Sequence, residues 1–224
     1  MMNGIWILLL LLLTAALPTV LVFIWFRRRK SAVSPPWFLA SLAAGAVSLL
    51  AAALTQSFLF GPGKSGLGQI LFGVFLRIAL VEEASRLVTL IPLLKLGNRG
   101  KDRDGTFGAA IGLAAGLGFA VLESAYYGMA NINITLLRAF TAAPLHGACG
   151  IRAGTVVSTM NQRPARALFL FISGVLIHGA YNLIIVTPAL PSALAVAVAF
   201  IALFASLPLL KTPEGLDFFD KKTY

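Results

Sequence analysis

The chain has 224 residues, of which 58% are hydrophobic and only 12% charged, and its mean hydropathy is +0.89. Such a composition excludes a soluble globular domain and indicates an integral membrane protein. The net charge of +10 would suit nucleic acid, but the basic residues fall in alternate loops between apolar runs, which is the pattern of membrane topology instead.

Seven apolar runs have the roughly 20-residue length that crosses a bilayer core of about 30 Å. They cover residues 5 to 26, 37 to 59, 67 to 94, 106 to 129, 132 to 157, 166 to 187 and 191 to 210. The expected fold is an all-α membrane protein, a polytopic bundle of about seven transmembrane helices, because backbone groups in lipid are satisfied within helices. Residues 1–224 form a single helical membrane domain; the hydrophilic stretches 95 to 105 and from Lys211 onward are too short to bury a core of their own.

Arg27, Arg28, Arg29 and Lys30 follow the first run, Lys95, Arg99, Lys101 and Arg103 the third, Arg163 and Arg166 the fifth, and Lys211, Lys221 and Lys222 the last. The intervening loops carry only Lys64. By the positive-inside rule the N-terminus lies outside and the C-terminus in the cytoplasm of a multi-pass protein of the cell membrane. The first run lacks a basic n-region and is followed by its positive cluster, so it reads as a retained span and not a cleaved signal peptide.

Both histidines and three of the eight acidic residues lie inside these apolar runs. A charged group at the bilayer centre costs about 2.5–3.5 kcal/mol on insertion scales, so each needs a partner, a wet cavity or a role. In the third run, Glu82 and Glu83 precede Arg86 by four and three residues, so Arg86 can reach either carboxylate. One is neutralised, which leaves the other as a proton acceptor or donor. Arg77, nearer the outer end, is expected to snorkel.

The fourth run carries Gly108, Gly112, Gly116, Ala120 and Ser124 at four-residue spacing, a small-residue ridge for close helix packing. Glu123 adjoins its end, about 25 Å from the cytoplasmic start of the run, and joins the other polar residues only if the helix is tilted or begins outside the hydrocarbon. The fifth run places Arg138, Ala142, His146, Gly150 and Gly154 on one face, with Pro144 able to open the helix just before His146. Cys149 reads as a small core residue, and Arg152 as a side chain reaching for headgroups. In the sixth run Gly174, His178 and Asn182 share a face, so His178 and Asn182 can address one group.

Two chemistries suit this constellation. A glutamate and a histidine can activate water for attack on a carbonyl while the remaining histidine and Asn182 stabilise the oxyanion, with no metal required. Alternatively His146, His178 and a glutamate hold zinc and another glutamate is the base; the HExxH helix of many zinc proteases is absent.

The segments EEASR, GFAVLES, RAFTAAPLHGACG and HGAYN, in order on consecutive runs, resemble the PrsW family of intramembrane proteases, related to the type II CAAX prenyl endopeptidases with their EExxxR, FxxxH and HxxxN motifs. The resemblance covers residues 67–187, the expected catalytic core. It implies hydrolysis of a peptide bond in or near the membrane, in a membrane-anchored protein such as an anti-sigma factor, and a bacterial plasma membrane. It implies that Glu82, Glu83, Glu123, His146 and His178 are catalytic, that Asn182 and Arg86 orient or stabilise, and that any zinc would be held by His146, His178 and Glu123; the related CAAX enzymes favour a glutamate-activated water. The chain departs from the family pattern in having Arg86 for lysine and Ser124 for asparagine. Arginine keeps the charge but not the geometry. A proton-coupled transporter uses the same residue types, and a non-catalytic membrane scaffold is a third class.

Overall fold

A computed structural model describes residues 4–28, 33–59, 66–98, 105–129 and 132–210. Among these residues the chain is all-helical: α1 (Gly4–Ala15), α2 (Leu17–Arg28), α3 (Pro35–Leu59), α4 (Leu67–Leu71), a π-helical segment (Phe72–Leu80), α5 (Val81–Asn98), α6 (Thr106–Gly128), α7 (Ile132–Thr159), α8 (Pro164–Val186), α9 (Ser192–Ser206) and a closing 3-10 turn (Leu207–Leu210). The basic residues 29, 30, 99, 101, 103, 211, 221 and 222, and Lys64, lie outside the described residues.

Among the described residues, four helices are long and apolar enough to cross a membrane: Pro35–Phe58, Thr106–Gly128, Pro164–Val186 and Ser192–Leu210. A fifth span results if α1 and α2, bent by 44°, are taken together. The bend falls beside Pro18, whose ring cannot continue the hydrogen-bond ladder. The other two expected spans are helical as well, but they carry most of the polar residues and fall outside this apolar set. Their composition, rather than their length, sets them apart: α7 alone has 28 residues, about 42 Å at 1.5 Å per residue.

The hub is α6. Of its most apolar stretch 78% is buried, against 28% for each of the other three. The small-residue ridge explains how. A Cβ on Gly108 or Gly112 would strike the carbonyl oxygens of Gly154 or Gly150, and one on Gly116 that of His146, so the backbones of α6 and α7 lie in contact along three helical turns. On its other side Gly118 meets the backbone of Leu42, and Gly45 of α3 meets that of Ala115. Gly105, which starts α6, has φ +82°, a left-handed conformation that a β-carbon disfavours.

The π-helical segment lies directly ahead of the glutamate pair. A π-turn adds a residue per turn and therefore re-aims everything after it, and such turns collect at functional sites. Phe75 from this segment packs against Gly179, which has no side chain to obstruct it. The contact pins the segment to α8 beside His178, setting α5 so that its first turn faces that histidine. Pro144 sits within one continuous α7, in the turn before His146.

Candidate active site

Glu82, Glu83 and Arg86 occupy the first two turns of α5 and are all buried. The Arg86 guanidinium Nη1 donates to Glu83 Oε2 at 2.5 Å, so of the two carboxylates Arg86 can reach, Glu83 is the one it pairs with. His178 Nδ1 lies 2.8 Å from Glu83 Oε1, and its Nε2 lies 3.5 Å from Glu82 Oε2. Gln56 of α3 donates its amide to Glu82 Oε1 at 3.4 Å. The second oxygen of Glu82 is buried without a hydrogen-bond partner.

A second cluster surrounds His146. Arg86 Nη2 is 3.3 Å from His146 Nδ1. A guanidinium can only donate, so Nδ1 is the acceptor and the ring proton resides on Nε2. That Nε2–H donates to Glu123 Oε2 at 2.7 Å, and Arg138 Nη2 donates to the same oxygen at 2.5 Å. Glu123 thus belongs to the polar layer despite its distance along α6. Arg138 also lies 4.6 Å above the Tyr127 ring, and Arg86 lies 4.7 Å from the Phe119 ring centre, so both cations face aromatic electron density. The two imidazoles are 5.0 Å apart and perpendicular.

The five ionisable residues singled out in the sequence therefore meet, as two carboxylate–imidazole clusters joined by Arg86. Glu83 is balanced by Arg86 and Glu123 by Arg138, which leaves Glu82 and His178 facing each other with no further cation of their own. Asn182 is half-buried one turn after His178 on α8 and makes no side-chain hydrogen bond among the described residues. Ser124 is buried, and its carbonyl accepts from Thr135.

Three participants were not assigned by sequence reasoning. Gln56 lies outside the matched motifs, and no spacing links it to Glu82. Arg138 did stand on the His146 face, eight residues earlier, and that register was its signal. Cys149, read as core packing, has its sulfur within 4.8 Å of ligand atoms of Glu83 and His178. Arg152 corrects an expectation: it does not reach headgroups but is buried, donating to Ser206 at 3.1 Å and Ser173 at 2.7 Å. The close helix packing supplies two hydroxyls before the side chain reaches an interface. Arg77 lies in the π-helical segment.

A zinc-class cation fits the donors present. Imidazole nitrogens and carboxylate oxygens are its usual ligands, and Glu82 Oε2 makes no hydrogen bond among the described residues. There is also space: a Cβ on Gly174 would find nothing nearer than Glu83 Oε2, 4.0 Å away. Of the three donors expected for zinc, His146 and Glu123 are bonded to each other and His146 has both nitrogens engaged, whereas His178 stands with the α5 glutamates.

No curated protein and no solved structure matches the chain. A family model described as PrsW family intramembrane metalloprotease matches residues 33–207, from the start of α3 to the end of α9, and so includes every residue of both clusters. With a match of that extent, the chain belongs to the PrsW family of intramembrane proteases and is a membrane-embedded peptidase.

Proposed function

We propose that this peptidase hydrolyses a peptide bond in or next to the transmembrane segment of a membrane-anchored protein, with a water activated by Glu82. The observation that carries the reading is the buried Glu82 oxygen, unpartnered and 3.5 Å from His178 Nε2. A water held by both groups can pass a proton to the carboxylate as its oxygen attacks the carbonyl carbon. Glu83, fixed by Arg86, orients His178 through Nδ1, as a carboxylate orients the histidine of a hydrolytic triad. Asn182, with an uncommitted amide on the His178 face, donates to the oxyanion. The proton then returns from Glu82 to the leaving amine, and the carboxylate is regenerated.

His146 and Glu123 position the site rather than react. The Nε2–H of His146 is given to Glu123, and its Nδ1 steadies Arg86, so the second cluster holds the first in register. A zinc ion, when bound, would be held by Glu83 and His178 and would supply Lewis-acid polarisation of the carbonyl and a more acidic water; the proton transfer at Glu82 and the oxyanion contact from Asn182 do not depend on it. A single-pass anti-sigma factor in a bacterial plasma membrane is the proposed substrate, on the family resemblance. The alternation of basic loops supports seven crossings with the N-terminus outside.

The test is cleavage of a single-pass membrane substrate by purified protein in lipid. Glu82→Gln is expected to lower kcat by about 10²–10⁴-fold, and Asn182→Ala by about 10²-fold with little change in KM. Wild-type turnover in Glu82→Gln would overturn the assignment. Activity that survives a chelator supports glutamate and water, whereas loss restored by zinc places the metal in the reaction.

A further inference from the structure

Cys149 is a buried thiol that the proposed reaction does not use, and it is the only cysteine in the chain. Its sulfur, a carboxylate oxygen of Glu83 and a ring nitrogen of His178 all lie within 4.8 Å of one another, and the three residues are buried. The thiol's hydrogen bond runs to the Gly174 carbonyl at 3.8 Å, which is long and weak. Gly174 is also the residue whose missing side chain leaves space beside Glu83. Cys149 packs among Ala142, Leu145 and Tyr181 as a core cysteine does, but its sulfur also stands beside a carboxylate and an imidazole.

We propose that Glu83, Cys149 and His178 form a binding site for a thiophilic divalent cation of the zinc class, with Cys149 as its thiolate ligand. The donor types are those zinc selects, one sulfur, one nitrogen and one oxygen, leaving a fourth position for water. Binding displaces the thiol proton to solvent. Charge supports the assignment. Ionised Glu82, Glu83 and Cys149 carry three negative charges, and Arg86 with a divalent ion carries three positive ones, so the loaded site is neutral where an excess charge would be costly. The loaded site also keeps Glu82 against the imidazole. With His178 ligating through Nδ1, its remaining proton lies on Nε2, which faces Glu82 Oε2 at 3.5 Å, in the carboxylate–histidine–metal order that stiffens such ligands.

The inference goes beyond the proposed hydrolysis and is tested without it. The full-length protein in detergent or nanodiscs is loaded with Co²⁺ and, separately, Zn²⁺. Cobalt should give a near-ultraviolet sulfur-to-metal charge-transfer band, absent in Cys149→Ser, and X-ray absorption of the zinc form should show a sulfur shell at about 2.3 Å. Cys149→Ser should weaken zinc binding by at least about tenfold, or about 1.4 kcal/mol. Zinc with only nitrogen and oxygen neighbours, a cobalt spectrum unchanged by Cys149→Ser, or no stoichiometric binding would each overturn the site. Because the X-ray measurement uses the unaltered protein, a variant that fails to fold does not obscure the result. A negative outcome leaves the glutamate–water reading standing, since that reading fails only if Glu82→Gln retains turnover.

Discussion

At the scale of single residues, Arg86 connects the most chemistry. It is fully buried, pairs with Glu83 and donates to His146. Removing the cation strands a carboxylate in a low-dielectric interior, so Arg86→Met is expected to destabilise by about 3–5 kcal/mol. Arg86→Met with Glu83→Gln removes both charges, and thermal unfolding in detergent should find the double variant more stable than Arg86→Met alone. Equal melting temperatures would mean that the pair is not an energetic unit. The same arginine dictates a proton position. Nitrogen-15 NMR of labelled histidine should report His146 as the neutral Nε2–H tautomer, because Nδ1 faces a group that can only donate; in Arg86→Met that preference should weaken.

At the scale of elements, the α6–α7 contact and the π-helical segment set where the site residues point. Gly112 and Gly150 bring the two backbones together one turn from Gly116, which itself abuts the His146 carbonyl. Gly112→Val is expected to cost at least about 1–3 kcal/mol through overpacking, seen as a lower melting temperature, and to reduce turnover by separating Glu123 from His146. An unchanged melting temperature would show that the contact is looser than the backbone approach implies. The small-residue ridge was legible from its four-residue period. The π-helical segment was not, because the extra residue per turn leaves no mark in an apolar sequence whose period is read as 3.6.

At the scale of the whole molecule, α6 is enclosed and the polar layer is shared by α3, α5, α6, α7 and α8, so no pair of adjacent helices contains the site. The assembly also explains why Arg152 remains inside, between Ser173 of α8 and Ser206 of α9. Across the membrane, the seven crossings proposed from the basic loops predict that a reporter fused after Tyr224 is cytoplasmic and one placed before Met1 is external. Labelling intact cells with a membrane-impermeant reagent checks this, and both ends on one side would require an even number of spans.

The sequence by itself determined that the chain is a helical membrane protein, because apolar run length and backbone hydrogen bonding leave few alternatives. It also singled out Glu82, Glu83, Glu123, His146 and His178, since ionisable groups stand out in apolar runs. Helical spacing limited the partners of Arg86 to Glu82 or Glu83 but could not choose between them, because both were within reach. Only the tertiary structure decided that Glu83 takes the cation, that Glu123 meets His146, and that Gln56 and Cys149 stand beside the α5 glutamates. The choice of Glu83 depends on the neighbours around it, and Glu123–His146 and Gln56–Glu82 join residues 23 and 26 positions apart. Local periodicity specifies which face of a helix a residue occupies, whereas the depth, tilt and rotation that bring two faces together come from packing between helices.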